Sequence, residues 1–179
     1  MDSLVETLVT DRSQRSLLPA ECQELVIDLD HIAIAVEDLG EAVSWYVEKL
    51  GFKARDRRLT QGAHSAMLSA VLTAGKAVVV LVQGTSRESP ITKFIEEFGP
   101  GVQHVAFAVS NLDEAIQRLE TARGAADTPV IEDEGIRQVF LRRDPGSGVR
   151  VELIERRGGD FSDETVGELF RAFEARELW

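Results

Sequence analysis

Only one cysteine, Cys22, occurs in the 179 residues of the chain. A lone thiol excludes an internal disulfide and a thiolate-based metal cluster. Cationic side chains are also scarce, since 20 lysines and arginines stand against 31 aspartates and glutamates, a formal net charge of −11. Such a surface repels phosphate groups, so the sequence predicts neither a nucleic-acid partner nor a membrane partner.

Long hydrophobic runs are absent as well. The N-terminal stretch MDSLVETLVTDRSQ carries acidic side chains and no continuous apolar segment, which indicates neither a signal peptide nor a membrane span and predicts a cytoplasmic protein. Apolar residues nevertheless make up 44% of the chain, enough for a packed core. The length suits one domain rather than two, so we expect a single globule that binds a small molecule.

The sequence does contain an internal repeat. Residues 29–52 (LDHIAIAVEDLGEAVSWYVEKLGF) align with residues 102–124 (VQHVAFAVSNLDEAIQRLETARG) at a constant offset of 73. The chain has three histidines, and two of them, His31 and His104, occupy equivalent positions in the two copies. This equivalence favours a shared role for the two histidines over chance.

Each copy begins with an alternating run that predicts a β-strand, over residues 30–36 and 103–109. The histidine shares its face with two alanines in both runs, whereas the opposite face carries isoleucine, valine or phenylalanine. We therefore expect the bulky face to pack against a helix and the histidine face to border open volume.

A capping box follows each strand, formed by Asp38 with Glu41 and by Asn111 with Glu114. Each box predicts the start of a helix. The buried stripe expected for the first helix comprises Ala42, Trp45, Tyr46 and Leu50. Further strands are predicted at about 65–73, 77–83, 136–142 and 149–155.

Each copy is therefore a βαβββ module, and the predicted fold class is α+β. We place an N-terminal extension at residues 1–27 and a single domain at residues 28–179. Its expected parts are module one (28–86), a linking helix (89–98), module two (101–157) and a C-terminal helix (162–179).

Three side chains form a candidate metal site. His31 and His104 would supply imidazole nitrogens, and Glu152 stands in the otherwise apolar segment Val151–Ile154, where a buried carboxylate needs a cation or hydrogen bonds. Val80 is the position that aligns with Glu152 in the first copy, so three ligands are predicted rather than four. Two histidines and one carboxylate are the ligand set of non-haem Fe(II) oxygenases.

Other roles stay open for each residue taken alone. A histidine more often sits in a packed or solvated position than in a metal site, and Glu152 would also suit the solvent face of an edge strand. His64 follows Gly62-Ala63 in a polar stretch without a repeat mate, and we interpret it as a loop residue.

Three segments carry a family resemblance: residues 91–109 (ITKFIEEFGPGVQHVAFAV), 151–157 (VELIERR) and 161–174 (FSDETVGELFRAFE). With the paired βαβββ modules they resemble the vicinal-oxygen-chelate superfamily of glyoxalases and dioxygenases. Within it, the sequence is most similar to the catalytic C-terminal half of 4-hydroxyphenylpyruvate dioxygenase and 4-hydroxymandelate synthase. The resemblance extends from about residue 29 to residue 177.

This resemblance implies a half-barrel around a metal, closed by a C-terminal gate helix. It implies Fe(II), with Mn, Co or Zn as alternatives, bound by His31, His104 and Glu152. The implied reaction is the oxidative decarboxylation of a 2-oxo acid by O2, with hydroxylation of the same molecule. Family positions that contact substrate map to Ser69, Gln83, Gln138 and Phe161.

Several features depart from the family pattern. No counterpart of the second, N-terminal domain of those enzymes is expected, Val166 replaces a phenylalanine of the gate helix, and Arg150 replaces an aromatic residue near Glu152. Alternation with Val149 and Val151 would let Arg150 face solvent. The aromatic clamp for a phenol ring is therefore expected to be thinned.

Two other functions remain open at this point. One is a metal-dependent isomerase or lyase of the epimerase or glyoxalase type, which would use a fourth protein ligand and a carboxylate base. The other is a metal-free protein that binds a small molecule such as an antibiotic. A homodimer is the expected assembly.

Overall fold

The computed structural model describes residues 25–133 and 135–179, so almost all of the expected extension at 1–27 lies outside the described residues. The described chain forms eight strands and four helices. Their bounds, in chain order, are β1 (Val26–Ala35), α1 (Leu39–Leu50), β2 (Lys53–Gln61), β3 (Ala66–Ala74), β4 (Ala77–Gly84), α2 (Pro90–Phe98), β5 (Gly101–Val109), α3 (Leu112–Thr121), β6 (Ile131–Glu132), β7 (Ile136–Phe140), β8 (Arg150–Arg156) and α4 (Asp163–Arg176).

The eight strands form one curled sheet in the order β2-β3-β4-β1-β5-β8-β7-β6. Strands β1 and β4 pair in parallel, as do β5 and β8, while all other neighbours are antiparallel. Each half of the sheet is one βαβββ module, so the predicted α+β half-barrel is confirmed. The first strand after the helix of module two, β6, is only two residues long.

The two modules meet where β1 pairs with β5. In this antiparallel register His31 pairs with Ala106, and Ala33 pairs with His104. Each histidine therefore has an alanine directly opposite it on the neighbouring strand. Ala33 and Ala106 are fully buried, and both histidines border a cavity, as the small residues on their face predicted.

Helices α1 and α3 pack on the outer face of the sheet. Asp38 and Asn111 cap them by accepting hydrogen bonds from the backbone N–H groups of Glu41 and Glu114. The stripe expected for α1 is confirmed in part, since Ala42 and Tyr46 pack against the core beside the buried Leu39 and Val43. Trp45 and Leu50 need correction, because they are 52% and 53% exposed. Because successive helical residues are rotated by about 100°, Trp45 lies outside the sector that faces the sheet.

Helix α4 covers the inner face of the half-barrel. Ser162 caps it by accepting from the Thr165 N–H, and Phe170 and Phe173 are buried beneath it. Near the other end, the Glu174 carboxylate accepts hydrogen bonds from the backbone N–H groups of Ala63 and Ser65, between β2 and β3. The helix thus follows module two in sequence and is fastened to module one.

In the part of the chain that the structure describes, no helix is long and apolar enough to span a bilayer. The cytoplasmic location and the homodimer stay predictions.

Candidate metal centre

The side chains of His31, His104 and Glu152 converge at the middle of the inner face. The His31 Nε2 atom lies 3.3 Å from the His104 Nε2 atom, and the Glu152 Oε2 atom lies 3.4 Å from the first and 3.3 Å from the second. His31 is 4% exposed and Glu152 is 1% exposed. Side chains 48 to 121 residues apart thus form a closed triangle of donor atoms because β1, β5 and β8 are adjacent.

The other ring nitrogen of each histidine has a hydrogen-bond acceptor. The His31 Nδ1 atom lies 2.8 Å from Oδ1 of Asp30, and His104 Nδ1 lies against Oε1 of Gln103. Both acceptors favour the tautomer that carries the proton on Nδ1, which leaves a lone pair on each Nε2. The two lone pairs and the Glu152 carboxylate point at one another, an arrangement that a cation stabilises.

Burial shifts the ionisation of this cluster. It lowers the pKa of His104 to about 3, with a further contribution from the positive charge of Arg150. Burial raises the pKa of Glu152 to about 7, although the nearby His31 acts in the opposite direction. His104 is therefore a neutral imidazole at neutral pH, as a metal ligand must be, and Glu152 readily exchanges its proton for a cation.

The donor triangle fits a divalent transition metal. Nitrogen and oxygen atoms about 2.1 Å from one ion are separated by roughly 3.0–3.4 Å, which the three observed separations match. The second carboxylate oxygen of Glu152, Oε1, is buried without a hydrogen-bond partner among the described residues. Imidazole and carboxylate suit Fe(II), Mn(II), Co(II) and Zn(II).

A cavity of about 740 Å³ opens in front of the triangle. One wall consists of inward-facing side chains of β3 and β4, among them Val71, Val78 and Val80. Phe170 and Phe173 of α4 form the opposite wall. The space is therefore mainly apolar and belongs largely to module one, with the three donor atoms at its inner end.

Three of the four predicted substrate residues line this cavity: Ser69, Gln138 and Phe161. Gln138 is fully buried, and both its amide oxygen and its amide nitrogen lack partners among the described residues. The Phe161 ring meets the His31 ring edge to face, with centroids 5.5 Å apart. The role of these three residues in substrate binding stays a prediction.

Gln83 is the exception. Its neighbours Val80 and Val82 line the cavity, whereas its own amide oxygen lies 2.8 Å from the Leu39 backbone nitrogen at the start of α1. The repeat mate of this contact is present, since Glu155 accepts from the Leu112 N–H at the start of α3. Gln83 therefore satisfies a helix terminus, and we propose no substrate contact for it.

Arg150 also differs from expectation. It is 4% exposed rather than solvent-facing, because it has the same parity on β8 as Glu152 and points inward. Its Nη1 atom lies 2.8 Å from the Asp127 carboxylate, and its guanidinium lies 5.8 Å from the Phe173 ring centroid. The ion pair offsets the cost of burying the charge.

Four residues around the donors were not predicted from the sequence. Asp30 and Gln103 accept hydrogen bonds from the two histidines. The Phe140 ring lies 4.9 Å from that of His104, and Arg156 binds Asp30. A signal for two of them existed. Asp30 and Gln103 immediately precede the repeat-equivalent histidines, so the offset of 73 relates them as well.

Comparison with known families agrees with this geometry. A family model described as the Glyoxalase/Bleomycin resistance protein/Dioxygenase superfamily matches residues 28–153. Among curated proteins, mitochondrial methylmalonyl-CoA epimerase of Mus musculus is 30% identical over 128 residues, which cover 70% of this chain and 71% of that protein.

Two solved structures illustrate the range of similar folds. Methylmalonyl-CoA epimerase from Mycobacterium tuberculosis is 31% identical, with a TM-score of 0.64 over 75% of this chain and 91% of that chain. A mutant 4-hydroxymandelate synthase from Streptomyces coelicolor has a TM-score of 0.74 over 83% of this chain and 54% of that chain. At 21% identity the second likeness is one of fold alone.

Proposed function

This chain belongs to the glyoxalase/bleomycin resistance protein/dioxygenase superfamily, and from that premise we propose that it is an Fe(II)-dependent dioxygenase acting on a 2-oxo acid. His31, His104 and Glu152 would hold the metal. The observation that carries the proposal is the valine in the fourth ligand position, Val80.

The strand register identifies that position. Glu152 pairs with Ala106 on β5, and Val80 pairs with Ala33 on β1, which is the repeat mate of Ala106. A valine cannot bind a metal, so the protein supplies three ligands, and a six-coordinate ion keeps positions for small molecules. Bound Fe(II) would supply the redox chemistry of O2 activation toward the 2-oxo acid.

The protein's own groups would bind and orient the substrate. The valine wall of β3 and β4 and the phenylalanines of α4 suit an uncharged hydrophobic side chain. Gln138 offers an amide with unused donor and acceptor capacity in the same cavity. Helix α4 would cover a substrate bound in the cavity, since Phe170 and Phe173 line its wall.

Epimerase chemistry is the second candidate, because both named epimerases are about 30% identical to this chain. Proton transfer at a carbon atom needs a carboxylate base near the metal. Among the described carboxylates of the cavity other than Glu152, Asp30 is bound to Arg156, Asp56 is bound to Arg58, and Asp160 lies 3.6 Å from Arg156. Each of the three has an arginine partner, and Glu152 is assigned to the metal, which favours the dioxygenase.

Oxygen consumption tests the proposal directly. Anaerobically purified, Fe(II)-loaded protein should consume O2 and release CO2 in equal amounts with 2-oxo acids that carry alkyl or aryl side chains. The variant His104→Ala should lose this activity. The variant His64→Ala is the matched control, because His64 is exposed and lies outside the cavity lining.

The same preparation separates the rival functions. Racemisation of methylmalonyl-CoA by the Co(II)-loaded protein, without O2 uptake from any 2-oxo acid, would contradict the dioxygenase and support the epimerase. A wild-type protein that retains no divalent metal would contradict both enzymes and support a binding protein.

A further inference from the structure

We propose that Asp30 and Arg156 form a positioning pair that holds His31 in its metal-binding tautomer and orientation and seats Phe161 beside it. The inference rests on the proposed function only in requiring that His31 bind a metal. It does not depend on which metal or which reaction the centre serves.

Asp30 acts on the far side of the His31 ring. Its side chain is 7% exposed, and its Oδ1 atom lies 2.8 Å from His31 Nδ1. This acceptor stabilises the Nδ1–H tautomer and fixes the rotation of the ring, so that the Nε2 lone pair points toward His104 and Glu152. A carboxylate acceptor also makes the imidazole a stronger donor to a cation.

Arg156 holds the Asp30 carboxylate in place. The Arg156 Nη2 atom lies 2.8 Å from Oδ1 of Asp30, and Nε donates to Oδ2, so the pair is bidentate. Two hydrogen bonds from one guanidinium therefore fix the Asp30 carboxylate against the His31 ring.

The same guanidinium organises the cavity wall. Arg156 lies over the Phe161 ring, 5.2 Å from its centroid, and its Nη1 atom donates to the carbonyl oxygen of Gly159. Phe161 in turn contacts the His31 ring. One arginine thus joins a metal-ligating histidine to the segment that leads into α4.

The second module provides an internal comparison. Gln103 stands before His104 as Asp30 stands before His31, and its amide oxygen accepts from His104 Nδ1. A neutral amide at the position before the histidine is therefore compatible with this fold. The charged, arginine-bound acceptor in module one adds a fixed ring orientation and stronger donation at His31 alone.

Metal affinity and histidine tautomer test the pair. Co(II) affinity of Asp30→Ala and Arg156→Gln, measured by chelator competition, should fall about 10–100-fold relative to wild type. Nitrogen-15 NMR of the three histidine side chains should show that metal-free Asp30→Ala loses the pure Nδ1–H tautomer of His31 while His104 keeps its own. Arg156→Lys keeps the charge but not the bidentate contact, so its Co(II) affinity should lie between those of Arg156→Gln and wild type.

The matched control is Asp113→Asn, which breaks a bidentate pair with Arg137 away from the cavity. An unchanged affinity and tautomer in Asp30→Ala would overturn the proposal, as would an equal loss in Asp113→Asn. If Asp30→Ala does not fold, Asp30→Asn replaces it: its neutral acceptor should keep the Nδ1–H tautomer, as Gln103 does for His104, but should lower the Co(II) affinity, and an unchanged affinity would overturn the proposal. A wild type that binds no Co(II) would refute the metal centre, whereas the metal-free tautomer would still decide the role of Asp30.

Discussion

Val80 occupies in the first module the position that Glu152 occupies in the second, since each pairs with the alanine two residues after the histidine of its module. One hydrophobic side chain would therefore separate a three-ligand centre from a four-ligand centre in the same fold. The consequence for reactivity can be tested by restoring the missing carboxylate.

Val80→Glu should add a fourth ligand. We expect Zn(II) and Ni(II) to bind at least about tenfold more tightly, which corresponds to about 1.4 kcal/mol, and O2 uptake to fall because a substrate position is filled. Competition with a chelator and an oxygen electrode measure the two effects. Val78→Glu is the control on the same face of β4, and an equal effect there would contradict the assignment of Val80.

Glu152→Gln should raise the metal-free stability of the fold and abolish its stabilisation by metal. Burial raises the pKa of Glu152 to about 7 from an ordinary 4.5, so the folded state binds the proton more tightly than the unfolded state. Its contribution to metal-free stability is therefore present below pH 4.5 and lost as the pH rises toward 7. The glutamine variant avoids this loss.

In the presence of EDTA, Glu152→Gln should thus gain roughly 1–3 kcal/mol over wild type between pH 5 and pH 8. Chemical denaturation at both pH values measures the difference. Added Co(II) should stabilise wild type at pH 8 and leave the variant unchanged. A variant that is equally destabilised at both pH values would contradict the raised pKa.

Breaking the Asp127–Arg150 pair should be costly. Asp127→Ala leaves the buried Arg150 charge without its carboxylate, and we expect a loss of about 3–5 kcal/mol in the free energy of unfolding. Arg150→Met removes the charge as well and should cost less. If the two variants were equally stable in urea denaturation, Arg150 would not need the ion pair.

The attachment of α4 should depend on Glu174. Its carboxylate accepts from backbone N–H groups at Ala63, His64 and Ser65, so Glu174→Ala should lower the local opening free energy there by about 1–3 kcal/mol. Hydrogen exchange at residues 62–65 measures this change. Glu168→Ala, on the exposed side of the same helix, should leave the exchange rates at residues 62–65 unchanged. An equal rise of those rates in Glu168→Ala would contradict the role of Glu174 in attaching α4.

The internal repeat makes much of the fold predictable from the sequence. The constant offset relates His31 to His104, and strand alternation places both on one face of the sheet. In each module the last strand pairs in parallel with the first, so the position of Glu152 beside β5 is predictable too. Metal binding by these three side chains stays a prediction.

Other features depend on contacts that no local pattern encodes. Asp30 and Arg156 are 126 residues apart and meet only through the order of the strands. The expectation that Arg150 faces solvent was wrong, and the contact of Gln83 with a helix end was not foreseen, because a polar side chain on a strand does not reveal whether it reaches a helix end or a buried carboxylate. The helix periodicity around Trp45 is ambiguous by one position, which suffices to move a ring from the sheet to the surface.

The valine at position 80 also makes the two sides of the centre chemically different. A duplicated fold with four ligands would present nearly the same surroundings to a reactant from either module, whereas here the two approaches differ. A bound molecule would meet the Glu152 carboxylate on one side and the valines of β3 and β4 on the other. The size of these valine side chains would then set which carbon atom of a substrate reacts. Replacing the valines with larger or smaller residues should therefore redirect the reaction.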